Sequence, residues 1–167
     1  MIAQPDLRPR PATTEDIDEL VRLRGYLLSA GDGHYVARDP AEDAAWRHAY
    51  RAWLHRHLTG PGERVHVAVI GEAEALAACA IAVLDERAPT AHSLNGRVGW
   101  VQTVVVEPRW RRHGLGARVM DHVLAWLRGQ GASGVVLQTT ADGAPLYRKL
   151  GFLPTGEDLL ALDVRGG

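Results

Sequence analysis

The stretch Arg109-Trp110-Arg111-Arg112-His113-Gly114-Leu115-Gly116-Ala117 gathers four cationic or imidazole side chains and two closely spaced glycines, separated only by Glu107-Pro108 from the apolar run Val104-Val105-Val106. A strand running into a basic, glycine-bearing turn that opens a helix suits an anion. The first backbone N–H groups of a helix lack internal partners, and the macrodipole is positive there. Gly114 and Gly116 carry no side chain to hold the oxygens of a pyrophosphate away from the backbone. The Lys-Ser/Thr ending of a P-loop is missing, as is the three-glycine spacing of a dinucleotide fingerprint, so both of those nucleotide readings lose ground. Taken alone, a two-glycine turn is also how an ordinary helix starts on a sheet protein.

Other groups with chemical potential are weaker. The eight histidines include His55 and His57, one residue apart, but that spacing points them to different helix faces and no Cys or carboxylate cluster completes a site. No metal is assigned. The lone cysteine, Cys79, lies in Ala77-Ala78-Cys79-Ala80-Ile81, where no charge would stabilise a thiolate, and it reads as core. Arg109, Arg111, Arg112 and Arg118 lack the aromatic platform or further basic stripe of a nucleic-acid surface.

The elements that would position these groups follow from periodicity and punctuation. Thr13, Glu15 and Asp16 open a first helix with Ile17, Leu20, Val21, Leu27 and Leu28 on its apolar positions, ending near Gly31. Asp39, Pro40 and Glu42 supply the cap, first-turn proline and capping-box acid of a second helix to about Leu58, with Trp46, Tyr50, Trp53 and Leu54 on one face. The period then changes. Residues 65–70 and 75–84 read as a hairpin, 87–99 as a loop and 100–106 as a strand. A helix from about Gly114 carries Leu115, Val119, Val123 and Leu127, followed by a short strand over 135–138, a helix over 145–150 closed by Gly151, and a final strand over 159–164.

With 167 residues, 46% of them hydrophobic, one domain over residues 1–167 is expected. A formal net charge of -1 gives no global field for nucleic acid or an anionic membrane, and the longest apolar region is interrupted by Gly71, Glu72 and Glu74. The N-terminus lacks the pattern of a signal peptide, so a cytoplasmic location is expected, with no nucleic-acid or membrane partner and a homodimer allowed.

Two motifs together resemble the GNAT superfamily of N-acetyltransferases. Arg111, Gly114 and Gly116 meet the Arg/Gln-x-x-Gly-x-Gly/Ala acetyl-CoA motif after a Val-x-Val-x-Pro run, and Leu146-Tyr147-Arg148-Lys149-Leu150-Gly151-Phe152 is similar to the family's Leu-Tyr-x-x-Leu-Gly-Phe signature. The order of elements agrees along most of the chain, from a first strand at residues 7–10. The resemblance implies an α/β (α+β mixed) fold, a central, mostly antiparallel sheet with a splayed strand pair flanked by helices. It further implies acetyl-CoA as co-substrate and no metal. Val104, Val105 and Val106 would meet the pantetheine arm, and Arg111, Arg112, His113, Gly114, Leu115, Gly116 and Ala117 the pyrophosphate. Arg109, Arg112 and Arg118 either reach the 3'-phosphate or are merely solvated.

By the same resemblance the Tyr147 hydroxyl lies near the coenzyme sulfur, where a phenol of pKa about 10 can protonate a departing thiolate; the alternative is a tyrosine that only packs. No general base is visible. Some family members carry a carboxylate on the strand before the phosphate loop, whereas this one offers Trp100, Gln102 and Thr103; Asp85, Glu86 and His92 flank the neighbouring loop, and Glu107 is expected to face solvent. The acceptor pocket is expected between the first two helices, their connection and the 87–99 loop, with Tyr26, His34, Tyr35 and Arg38 as contacts for a small-molecule amine. A protein or peptide amine and a non-catalytic acyl-CoA-binding module are the competing readings.

Overall fold

A computed structural model of the chain describes residues 6–29, 33 and 35–166. In chain order these form β1 (Pro9–Pro11), α1 (Ile17–Leu28) entered through a 3-10 turn at Thr14–Asp16, α2 (Pro40–Thr59), β2 (Val65–Glu72), β3 (Ala75–Glu86), β4 (Arg97–Val106), α3 (Leu115–Gly129), β5 (Gly134–Leu137) and α4 (Ala144–Lys149). The five strands lie in one sheet in chain order. Pairing is antiparallel from β1 to β4, whereas β5 joins β4 in parallel after the α3 crossover. The mixed α/β architecture implied by the two motifs is the one observed.

Period-two alternation divides the sheet between two apolar layers. Val65, Val67 and Val69 of β2, Cys79 and Ile81 of β3 and Val105 of β4 pack with Leu20, Val21 and Leu23 of α1 and Tyr50 and Leu54 of α2. On the other face Ala68, Ile70, Ala78, Ala80, Ala82 and Val101 meet Leu115, Val119, Met120, Val123, Leu124 and Leu127 of α3. The alanines of β3 offer no bulk, which lets α3 seat close to the strands and brings its N-terminus to the end of β4. Burial pushes the Cys79 thiol up to about 12, as its core position requires.

The entrance to α1 is held by a buried carboxylate. Asp16, with no exposed surface, accepts two hydrogen bonds of 2.8 Å from the Arg10 guanidinium and one from the Thr13 backbone N–H. Burial alone would raise its carboxyl, but the bonds from Arg10 and Thr13 outweigh it and hold the pKa below the ordinary 3.8. A depressed folded-state pKa contributes stability that is present above the unfolded value and lost as pH falls through the folded one. Asp16→Asn is therefore expected to cost about 2 kcal/mol at neutral pH in urea unfolding, with the gap to the parent protein closing under acid conditions. An equal gap at both pH values would locate the loss in packing instead.

Several expected boundaries move. The first strand is Pro9–Pro11, and β4 begins at Arg97, inside the expected loop. Asp39 caps α2 by accepting from the Glu42 N–H at 2.8 Å, but the Glu42 carboxylate turns to the Arg38 N–H and closes no capping box on Asp39. The largest departure is at the end of the chain, where the alternation over 159–164 predicts a strand. Those residues are exposed, have no regular secondary structure and pair with no strand among the described residues. Alternation specifies a face, and among the described residues no neighbouring strand lies beside it. Among the described residues no helix is long and apolar enough to cross a membrane.

Candidate active site

The site is a fork in the sheet. Parallel pairing of β4 with β5 ends at Val101 and Leu137, while β4 stays paired to β3 as far as Val106 opposite Ala78. A register shift places Gln102 as an extra residue between Val101, opposite Ala82, and Thr103, opposite Ile81. Such a bulge bends its strand and re-aims the residues beside it. Past this point the β5 chain turns away through Gln138 to Thr140. A cleft of about 520 Å³ opens between the two, walled by Arg24, Leu27 and Leu28 of α1, Gln102 to Val104, Gln138 to Thr140, Tyr35, Gly143 and Tyr147. A recess of about 300 Å³ adjoins it through Arg24, Leu28 and Gln102, lined by Trp46, Tyr50 and Trp53 of α2.

At the far end of β4 the chain enters the basic turn. Val105 is buried toward α1 and α2, while Val104 and Val106 are half-buried on the α3 side. Arg111, Arg112, His113 and Gly114 are exposed, and the His113 ring settles on the Arg111 carbonyl at 2.8 Å. The N–H groups of Leu115, Gly116 and Ala117 precede the first bond of α3, donated by Arg118 to the Gly114 carbonyl. They are available to an anion.

Gly114 has φ of 74°, and Arg112, at 63°, is the one positive-φ residue other than glycine among the described residues. Left-handed geometry at an arginine is strained, and strain of this kind gathers at ligand-binding turns. A Cβ at Gly116 would stand 3.0 Å from Leu146 Cδ2, so this glycine lets α3 approach α4.

Tyr147 reaches the cleft from α4. Gly143 starts that helix, and its missing Cβ leaves room for Thr139 Oγ1, 2.7 Å from where the Cβ would be. The helix ends with Gly151 at φ of 95° and the Phe152 N–H bonded back to the Tyr147 carbonyl, which sets Phe152 edge-on against the Tyr147 ring at 6.0 Å. The half-buried phenol has its pKa raised by desolvation. No hydrogen bond to its hydroxyl is formed among the described residues.

Among the remaining acceptor candidates, Tyr35 lies on the cleft wall. Tyr26 does not line it and donates instead to Glu107 at 3.0 Å. Arg38 is exposed and paired with Glu42. His34 falls outside the described residues. The 87–99 loop contributes nothing to this cleft. Its turn is tied to the α3–β5 connection by Asn95 on the Gly131 carbonyl and Ser133 on Ser93, while Asp85 and Glu86 are engaged by Arg87 and Arg64.

Glu107 is buried rather than solvent-facing: Arg22 and Tyr26 of α1 reach it across the end of the sheet. Burial raises its pKa, but the bonds from Arg22 and Tyr26 prevail and hold it below the ordinary value. Sequence reasoning also missed Arg24, which donates to the Thr103 hydroxyl, lies 4.8 Å over the Tyr50 ring and has no carboxylate partner among the described residues. Its signal was present as an arginine interrupting the apolar stripe of Leu20, Leu27 and Leu28. Among the described residues no cluster of three metal-ligating side chains occurs.

A cleft walled by a half-buried phenol, beside a strand that runs on into an anion-ready helix start, suits a group-transfer enzyme whose donor carries phosphates on a long arm. Residues 27–152 match the Acetyltransferase (GNAT) family, and the chain belongs to that family. It is 40% identical over 58 residues to glucosamine 6-phosphate N-acetyltransferase 1 of Oryza sativa subsp. japonica, a match spanning 35% of each chain. A GCN5-related N-acetyltransferase from Ralstonia eutropha superposes with a TM-score of 0.74 at 25% identity, covering 93% of this chain and 97% of the other. A predicted acetyltransferase from Clostridium acetobutylicum, crystallised with acetyl-CoA, shares the fold with a TM-score of 0.76 at 22% identity over 94% and 96% of the two chains.

Proposed function

We propose that this protein transfers the acetyl group of acetyl-CoA to the primary amine of a small molecule, with Tyr147 protonating the departing thiolate. The observation that carries the reading is the Tyr147 hydroxyl, unbonded among the described residues, on the wall of a cleft that opens where β4 and β5 part. Arg111 to Ala117 receive the pyrophosphate on backbone N–H groups, and the pantetheine arm runs along Val104 to Val106, where β4 has no β5 partner. The amine nitrogen attacks the thioester carbonyl, the C–S bond breaks, and the phenol supplies the proton taken up by sulfur. A raised phenol pKa keeps that proton in place until above the ordinary tyrosine value of 10.

The acceptor enters between α1 and the Gln138 to Gly143 segment, with the Trp46, Tyr50 and Trp53 recess for its apolar part. Among the described residues the cleft wall contains no carboxylate and no imidazole, and we assign the proton lost by the amine to water. Arg24 disfavours an ammonium beside it and fits an acceptor that also bears an anion. The rice relative is named for a phosphorylated amino sugar, which makes glucosamine 6-phosphate and neutral glucosamine an informative pair.

Thiol release from acetyl-CoA, measured over a panel of amines, amino sugars and N-terminal peptides, tests the proposal. Turnover confined to peptides transfers the activity to a protein acceptor, and acetyl-CoA binding without turnover on any amine leaves a binding module. Deprotonation by water gives a further expectation. The ascending limb of kcat/KM against pH should shift with the amine pKa across a series of acceptors; a limb fixed at one pH for all of them would reveal a titrating side chain.

A further inference from the structure

The two cavities of the site meet at a charge with no counter-ion among the described residues. Arg24 lines both the cleft and the recess beside it, and among the described residues it is the one charged side chain on either wall. Its guanidinium lies over the Tyr50 ring and donates from Nη1 to the Thr103 hydroxyl, which leaves its other N–H donors unbonded among the described residues. Gln102, set out on the β4 bulge, shares this seam, and its side-chain amide forms no hydrogen bond among the described residues. Tyr50 lines the recess and is 7% exposed, yet its hydroxyl is the one buried side-chain polar atom left unbonded among the described residues. Burial pushes the pKa of that phenol up, so it stays a neutral donor. Buried donors are rarely left unpaired, and several gathered around one cation call for an anion from outside.

We propose that the acceptor is an α-amino carboxylate with a large apolar or aromatic side group. Its carboxylate meets Arg24, its amine faces the cleft toward Tyr147, and its side group fills the recess between Trp46 and Trp53. The proposal rests on the acetyl-transfer reading above and narrows the small amine to one class. Position supports it. A molecule with its nitrogen in the cleft and its apolar part in the recess crosses the seam at the carbon that joins them, so the anion belongs on that carbon. Charge supports it as well. One guanidinium matches the single charge of a carboxylate and can meet both oxygens in its plane, whereas a phosphate monoester carries about two charges. Arg22, Arg38 and Arg47 are engaged by Glu107, Glu42 and Asp43. Leu28, Trp46, Trp53 and Ile81 give the recess an apolar lining that suits an indole, phenyl or branched alkyl group better than the hydroxyls of a sugar.

Thiol release from acetyl-CoA on matched acceptors tests it: phenylalanine, its carboxamide, phenethylamine, alanine and glucosamine 6-phosphate, with leucine and tryptophan in the same set. Corrected for the fraction of free amine, kcat/KM for phenylalanine should exceed that for its carboxamide and for phenethylamine by about 10- to 100-fold, and that for alanine by a similar factor. In Arg24→Gln the preference for acid over amide should fall to about one, and Arg24→Lys should retain part of it. Calorimetry with acetyl-CoA reports that each variant is folded. Should no acceptor be turned over, calorimetry of phenylalanine and its carboxamide on the coenzyme A complex still reads the seam: selective binding of the acid upholds the ligand class while the transfer reading fails, and equal or absent binding overturns the proposal. Equal turnover of acid and amide, a preference for phenethylamine, or activity confined to glucosamine 6-phosphate or to peptides would overturn it with the transfer reading intact.

Discussion

Replacing Tyr147 with phenylalanine should lower turnover by about 100-fold or more, while acetyl-CoA affinity stays within about twofold of the parent. The first figure is the usual loss when a positioned proton donor is removed from a transition state. The second follows from where the ring sits. It makes a T-shaped contact with Phe152 at 6.0 Å between ring centroids and helps wall the cleft, contacts that phenylalanine preserves, and the hydroxyl has no hydrogen-bond partner among the described residues whose loss would disturb α4. An effect on kcat and kcat/KM together, with binding unchanged, is the signature of an interaction made only in the transition state. Single-turnover measurements, in which chemistry limits the rate, check it. A variant with parental rates under those conditions would reduce Tyr147 to a packing residue and take the general acid out of the mechanism.

The parts of this site that were legible beforehand are those whose chemistry is local. A basic turn with glycines after an apolar run announces a helix start, and α3 does begin at Leu115 directly after Gly114. The Leu146 to Phe152 stretch likewise carries its own instructions, since Gly151 closes α4 and folds Phe152 back on Tyr147 within five residues. What could not be read depends on residues far apart in the chain. Glu107 looks solvent-facing until Arg22, 85 residues earlier, is seen to reach it across the end of the sheet. Arg24 stands out only as a break in an apolar stripe, and its meaning depends on the bulge at Gln102 that opens the fork beside it. The 87–99 loop was placed near the acceptor because hairpin register, which puts its turn beside Gly131 and Ser133, is set by pairing along the full length of β3 and β4. The strand expected over 159–164 is not formed, because a strand needs a neighbour to pair with and none lies beside this segment among the described residues.

Gly114→Leu should weaken acetyl-CoA binding by about 100-fold in a protein that remains folded. Two effects combine. At φ of 74° any L-residue is strained, by about 1–2 kcal/mol, and the turn relieves that strain by leaving the left-handed conformation that orders the N–H groups at the start of α3. The added side chain then occupies space a pyrophosphate would need, since the turn is exposed and no protein atom lies within 4 Å of a Cβ built there. That same openness protects the fold, because the leucine collides with nothing in the core. Gly114→Ala separates the two effects: it keeps the strain but little of the bulk, and a loss of about tenfold is expected. Gly116 offers the contrast, for a side chain there meets Leu146 of α4 at 3.0 Å, so Gly116→Leu should disturb thermal stability as well as binding. Titration calorimetry with acetyl-CoA, paired with thermal unfolding of each variant, reads all three. If Gly114→Leu binds acetyl-CoA as the parent does, the turn is only a helix start, and the phosphates of the donor must be held elsewhere.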